Sequence, residues 1–133
     1  IRPWQFVLEP LRGYLLLAEG LVRDGARFAS GWNFGPVESD ARPVSWIADR
    51  MVQLWDTPAA WAVDRTGHPA EAPELRLDAS KAAACLGWRP ALPLEQALEW
   101  IVEWYRGWTR RAKLDELTRT QIGRYHQLVD GLA

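Results

Sequence analysis

Apolar residues recur at helical spacing in several stretches of this chain, and short apolar runs bounded by glycine and proline fill the intervals. In the first stretch Leu11, Tyr14, Leu15, Ala18, Leu21 and Val22 fall on one stripe. The spacing predicts a helix of about four turns with that stripe as its buried face. Glu9 stands at the N-cap, Pro10 at the first helical position, where a missing N–H is harmless, and Gly25 supplies the stop. Residues 1–8, which carry Trp4, Phe6 and Val7, read as an extended segment leading into it. Pro43 opens a second helix with Val44, Ile47, Ala48, Met51, Leu54 and Trp55 on its apolar face, and Pro58 lies beyond its end. Asp78 is placed to cap a short helix over Ala79 to Leu86, which Gly87 terminates. Pro93 then starts the clearest helix, where Leu94, Ala97, Leu98, Ile101, Tyr105 and Trp108 form a stripe that Trp100 and Trp104 broaden. In the tail Thr118 and Gln121 stand at capping-box spacing before Ile122, Tyr125 and Leu128 or Val129. That narrow apolar face suits docking on the core or on another chain.

The run Gly31-Trp32-Asn33-Phe34-Gly35-Pro36 reads as a short apolar strand that ends in an amide and a glycine-proline break. The plain reading is a tight turn before the next helix. A strand end that meets a ligand fits too, because Asn33 offers donor and acceptor and Gly35 has no side chain to fend off an approaching group. Trp61-Ala62-Val63 and Leu75-Arg76-Leu77 are further extended segments, separated by the polar loop Asp64 to Glu74 with its Gly67-His68-Pro69 turn. Such a long loop in a compact domain is often functional. The fold class is therefore α/β or α+β, mostly helical with a few short strands. Strands this short make no stable sheet alone, so they are expected to lie beside a sheet belonging to other sequence.

At 133 residues the chain is one ordinary domain by length, and nothing in its composition calls for disulfides or a metal. The net charge of −1, with basic residues spread along the chain, gives no footprint for nucleic acid or an anionic membrane. No apolar run approaches the roughly 20 residues of a membrane span. A single cysteine, Cys85, forms no intramolecular disulfide, and the chain reads as cytoplasmic and soluble. It opens on Ile1-Arg2-Pro3-Trp4 with no initiator methionine and is read as a fragment. Nine tryptophans suit an extensive interface as well as a core.

No catalytic set emerges from the residues. His68 and His126 lie in no metal-ligand pattern, and Cys85 between Ala84 and Leu86 reads as a packed thiol. Ser30, Ser39, Ser45 and Ser80 stand in no nucleophile elbow, and the glycine-rich dinucleotide fingerprint is absent. What remains is an anion-binding constellation. Arg2 heads the first segment, Asn33 closes the central run, and Arg65, His68 and Arg76 flank the long loop, which together supply the guanidinium and amide donors a pyrophosphate needs.

The order of segments carries a resemblance. Arg2-Pro3-Trp4-Gln5-Phe6-Val7-Leu8-Glu9-Pro10 is followed by Asn33-Phe34-Gly35-Pro36, Ala41-Arg42-Pro43-Val44, Glu71-Ala72 and Leu75-Arg76-Leu77-Asp78. Leu86-Gly87-Trp88-Arg89-Pro90, Glu103-Trp104-Tyr105 and a tail around Leu117-Thr118 and Gln121-Ile122 complete the series. The series resembles the C-terminal part of nucleotide-sugar dehydratases of the extended short-chain dehydrogenase/reductase family, most of all the branch acting on CDP-glucose. The resemblance implies a substrate-binding lobe over residues 1–111, a helical tail over 112–133, and an N-terminal Rossmann domain, absent from this chain, that holds NAD and the Tyr-x-x-x-Lys pair. Family chemistry passes a hydride from sugar C4 to NAD, eliminates water across C5 and C6, and returns the hydride to C6 to give a 4-keto-6-deoxy sugar.

Carried over by position, Arg2 matches the arginine that contacts the diphosphate, Asn33 the asparagine of the substrate lobe, and Glu71 a His-Glu-Ala element of the CDP-glucose branch. The histidine of that element is Ala70 here, and Pro73-Glu74 replaces an aromatic-bearing stretch, so other nucleotide sugars stay open as substrates. His68 is a candidate stand-in for the missing histidine. The substrate-binding set is thus Arg2, Asn33, Gly35, His68 and Glu71, with no catalytic, cofactor or metal residue in this chain. The expected partners are a nucleotide sugar and the parent's own Rossmann domain, in a homo-oligomeric parent that acts in deoxysugar and surface-polysaccharide synthesis. The fragment alone is expected to be inert. A rival from another class is a non-catalytic binding or oligomerisation module. A severed lobe differs from it by a large exposed apolar patch, for which Trp4, Trp32 and Phe34 are the candidates.

Overall fold

A computed structural model describes residues 1–55, 58–67 and 72–132. Pro93 and Pro43 begin helices where the sequence places them, because a fixed φ and no N–H suit a helix entry. In chain order the elements are β1 (Arg2–Pro3), α1 (Leu8–Arg23), α2 (Gly25–Phe28), a 3₁₀ turn (Glu38–Asp40), β2 (Ala41–Arg42), α3 (Val44–Leu54), α4 (Ser80–Leu86), α5 (Leu94–Thr109) and α6 (Leu114–Asp130). The chain is mostly helical, with β1 and β2 paired antiparallel in the register Arg2 to Arg42 and Pro3 to Ala41. α4 starts at Ser80, so its N-cap is Ala79 rather than the expected Asp78, which stands one residue earlier with its Oδ1 accepting from the Ser80 N–H at 2.8 Å; Gly87 ends that helix with φ of 64°. The Ser80 N–H, then its hydroxyl, hold the Asp78 carboxyl below the usual carboxylate range.

The expected strands at 31–35, 61–63 and 75–77 form no ladder. Gly31–Pro36 is held instead by side chains, and the Leu75 N–H donates to the Ile1 carbonyl at 3.1 Å. Glu9 is not an N-cap: α1 begins two residues earlier than expected, at Leu8, and Glu9 lies inside it. Gly25 opens the one-turn α2 rather than stopping α1, whose C-cap is Asp24. Thr118 and Gln121 form no capping box, because α6 starts at Leu114 and both sit in its interior. Cys85 is exposed, since Ala82 takes the inward position of α4.

Two clusters make the core. Phe6, Leu92, Ala97, Trp100 and Tyr125 form one, with the Phe6 and Trp100 rings edge to face at 5.7 Å. Phe34, Ala82 and Trp88 form the other, walled by Leu16, Leu17, Trp32, Ala79 and Leu86. α1 lies between them, and its inward side is Glu9, Gly13 and Gly20 together with half-buried Leu16 and Leu17. The stripe expected to be buried points outward. Leu11, Tyr14, Leu15, Leu21 and Val22 are exposed, Val22 to 91%. Periodicity locates a stripe but not the body that covers it, and the glycines decide which side turns inward here. A Cβ on Gly13 would stand 2.4 Å from the Phe34 ring, and one on Gly20 would stand 3.1 Å from the Phe28 ring. Gly13→Ala is therefore expected to destabilise the fold by about 1–3 kcal/mol through a displaced Phe34. Chemical denaturation measures the loss, and Gly123→Ala, inside α6 where the added Cβ meets open space, is the control and is expected to stabilise by about 0.5–1 kcal/mol.

α6 docks through polar as well as apolar groups. The Gln121 amide donates to the Trp100 carbonyl at 2.9 Å and to Glu103 at 3.1 Å, and Trp104 Nε1 donates to the Thr118 hydroxyl at 3.0 Å. Tyr125 reaches further, into the first core cluster.

Candidate functional site

The site is built where the first residues of the chain cross two later segments. β1 pairs with β2 on one side, while on the other the Arg2 guanidinium donates to the Ala72 carbonyl at 3.1 Å. Trp4 Nε1 adds a bond to the Arg42 carbonyl at 2.9 Å. A cleft of about 270 Å³ opens beside this crossing, lined by Pro3, Pro36, Val37, Glu38, Ala41, Arg76, Leu77 and Asp78. Positions read from the sequence as separate, 3, 36–38, 41 and 76–78, thus share one hollow.

Arg2 and Arg42 are direct cross-strand partners, so their side chains leave the same face of the pair. Like charges so placed repel. Arg42 spends part of its charge on Trp46, whose ring centroid lies 5.1 Å from the guanidinium carbon. Neighbouring Asp40 accepts from the Leu94 N–H at 3.2 Å, and burial pushes its carboxyl above the usual range against the pull of that bond and of Arg42. Sequence reasoning misses Arg42, because Ala41-Arg42 carries no strand signature and only its pairing with Arg2 marks it. Arg76 lies at the cleft but is held by Glu74 and by Glu38, the latter at 2.5 Å.

Asn33 sits between two anchored aromatics. Trp32 donates from Nε1 to the Phe28 carbonyl at 3.0 Å and stacks on the Phe28 ring at 5.9 Å. Phe34 is buried edge to face between Tyr14 at 5.6 Å and Trp88 at 5.2 Å, and its carbonyl accepts from Gln5 Nε2 at 2.7 Å. In an extended segment successive side chains alternate, so Asn33 faces the other way, and it is exposed. Among the described residues its amide makes no hydrogen bond. Gly35 is buried, and the group that approaches it is Leu77, whose Cβ would stand 2.7 Å from an added Cβ. Gln5, three residues from Arg2, thereby ties the arginine segment to the asparagine segment. His68 and Glu71 lie outside the described residues, as does Ala70; Arg65 is exposed on the loop before them.

Among the described residues no cluster of three or more His, Cys, Asp and Glu is placed to hold a metal ion, and no helix is long and apolar enough to cross a membrane. Among the described residues no strand, glycine-rich loop and helix follow one another in the order of a dinucleotide cradle. The charged groups that line the cleft are Glu38, Asp78 and Arg76, the last already paired with Glu38 and Glu74, while Arg2 and Arg42 stand beside it on the strand pair.

No protein-family model matches the chain. It is 46% identical over 125 residues to the CDP-glucose 4,6-dehydratase of Salmonella typhimurium, a match that takes in 94% of this chain and 35% of that enzyme. The resemblance seen in the sequence is borne out, and the chain spans about a third of the relative's length.

Proposed function

We propose that this chain, homologous to one part of a CDP-glucose 4,6-dehydratase, is the C-terminal substrate-binding lobe of such an enzyme. The observation that carries the reading is the 46% identity over 125 residues, nearly the whole chain. Arg2, with Arg42 across the strand pair, binds the diphosphate through charge-assisted hydrogen bonds. Asn33 offers its unpartnered amide to the substrate, and Gly35 lets the 33–36 turn close on Leu77 so that the amide stays presented. His68 and Glu71 complete the set from the loop that Arg2 fastens at Ala72.

The parent converts CDP-glucose to CDP-4-keto-6-deoxyglucose and water. NAD, bound by the N-terminal Rossmann domain, supplies the reversible hydride transfer. This chain contributes binding and orientation, the proximity share of the rate. The outward stripe of α1 is the seat of that domain, and it supports a severed lobe over a free-standing module. The expected markers Trp4 and Trp32 are half-buried and Phe34 is buried, so the apolar patch lies on α1 rather than at the turn. A cytoplasmic, homo-oligomeric parent in deoxysugar and polysaccharide synthesis completes the proposal. Ala70 and Pro73-Glu74, which depart from the CDP-glucose pattern, favour a second reading, the lobe of another nucleotide-sugar dehydratase or epimerase.

Turnover by the intact parent is the test. With NAD and CDP-glucose it is expected to form the 4-keto-6-deoxy product, while the 133-residue chain alone forms none. An intact parent that binds CDP-glucose and leaves it unchanged would overturn the dehydratase assignment.

A further inference from the structure

We infer that Lys81 is a positioning residue for Asn33, holding the three residues before it so that the amide meets the substrate; the inference rests on the reading of Asn33 as a substrate contact. The Lys81 ammonium donates to the Ser30 hydroxyl at 2.7 Å and to the Gly31 carbonyl at 2.9 Å, and it lies 4.3 Å from the centroid of the Trp32 ring. One cation thus grips residues 30, 31 and 32 through three kinds of group. The far side of Asn33 is fixed separately, by the bond from Gln5 to the Phe34 carbonyl.

Local helix energetics argue against a lysine here. Lys81 is the second residue of α4, at the helix end whose dipole disfavours a cation. It is exposed and meets the second core cluster only at its wall, through Trp32, while ordering so long a side chain costs rotamer entropy. The segment it grips has no ladder to hold it. The contacts account for a lysine at this position, and their one shared effect is the placement of the unpaired residue that follows.

The test is steady-state kinetics of the intact enzyme with CDP-glucose. Lys81→Met, which keeps the stem and removes the ammonium, is expected to raise KM about 3- to 10-fold with kcat within about twofold. The melting temperature is expected to stay within about 2 °C, as for an exposed site. Lys81→Arg, which keeps the cation, is expected to restore most of the loss. Asn33→Ala is expected to raise KM by itself, and adding Lys81→Met to it is expected to raise KM no further. A full multiplicative loss in that double variant overturns the inference. So does an unchanged KM in Lys81→Met beside a raised KM in Asn33→Ala, a result that leaves the reading of Asn33 standing. An unchanged KM in Asn33→Ala removes that reading and the inference with it.

Discussion

Glu9→Ala is expected to destabilise the lobe by roughly 3–5 kcal/mol, the largest effect of any single change in this chain. Glu9 is fully buried. Its Oε1 accepts from the N–H groups of Ala91 at 2.8 Å and Leu92 at 2.7 Å, and its Oε2 accepts from the Tyr125 hydroxyl at 2.8 Å. Its own carbonyl accepts from Trp88 Nε1 at 3.1 Å, so one residue joins α1, both core clusters and α6. Burial, and after it the Glu9 carboxylate, push the Tyr125 hydroxyl above its ordinary range. Arg12 closes the group by donating to Tyr125 at 3.3 Å and to the Arg89 carbonyl. Removal of the carboxylate strands three buried donors at once. Tyr125→Phe strands one acceptor oxygen and is expected to cost about 1–3 kcal/mol. Glu116, which pairs with Lys113 at 2.8 Å on the exposed first turn of α6, is the control, and its alanine variant is expected to cost less than about 1 kcal/mol. Thermal denaturation followed by circular dichroism reads the series. A Glu9→Ala midpoint within about 2 °C of the parent's would contradict the assigned role.

Arg2→Ala is expected to raise KM for the nucleotide sugar in the intact enzyme about 10- to 150-fold, the equivalent of the roughly 1.5–3 kcal/mol of a charge-assisted bond. Arg42→Ala is expected to act in the same direction with a smaller effect, because Arg42 is already partly engaged by Trp46. The two losses are expected to combine non-additively, since each arginine relieves or aggravates the other's repulsion across β1 and β2. Steady-state kinetics at two ionic strengths checks the charge component, because exposed pairs weaken with salt. An unchanged KM in Arg2→Ala would take Arg2 out of the site.

Helix positions were legible in the sequence because proline starts and a left-handed glycine each act locally. Pro43, Pro93 and Gly87 work as their chemistry requires, and Asp78 misses the N-cap by one residue while still bonding the Ser80 N–H. The orientation of α1 was not legible. Its apolar stripe obeys the helical period, yet Gly13 and Gly20 admit two aromatic rings on the opposite side, and those rings come from residues 34 and 28. Glu9 illustrates the same limit. A glutamate before proline looks like a cap, and only the distant Ala91, Leu92 and Tyr125 reveal a buried carboxylate with every bond met. In α5 the stripe ran past the core, and Tyr105 and Trp108 are exposed while off-stripe Val102 is buried. At the site, charge and segment order singled out Arg2 and Asn33, whereas Arg42 and Lys81 depend on tertiary pairing that no local pattern encodes.

The most direct measurement is isothermal titration of the intact parent, with NAD present, against CDP-glucose, dTDP-glucose, UDP-glucose and GDP-mannose. Selective binding of CDP-glucose, lost in Arg2→Ala, is the expected result; equal or tighter binding of another nucleotide, or no binding of any, would contradict it.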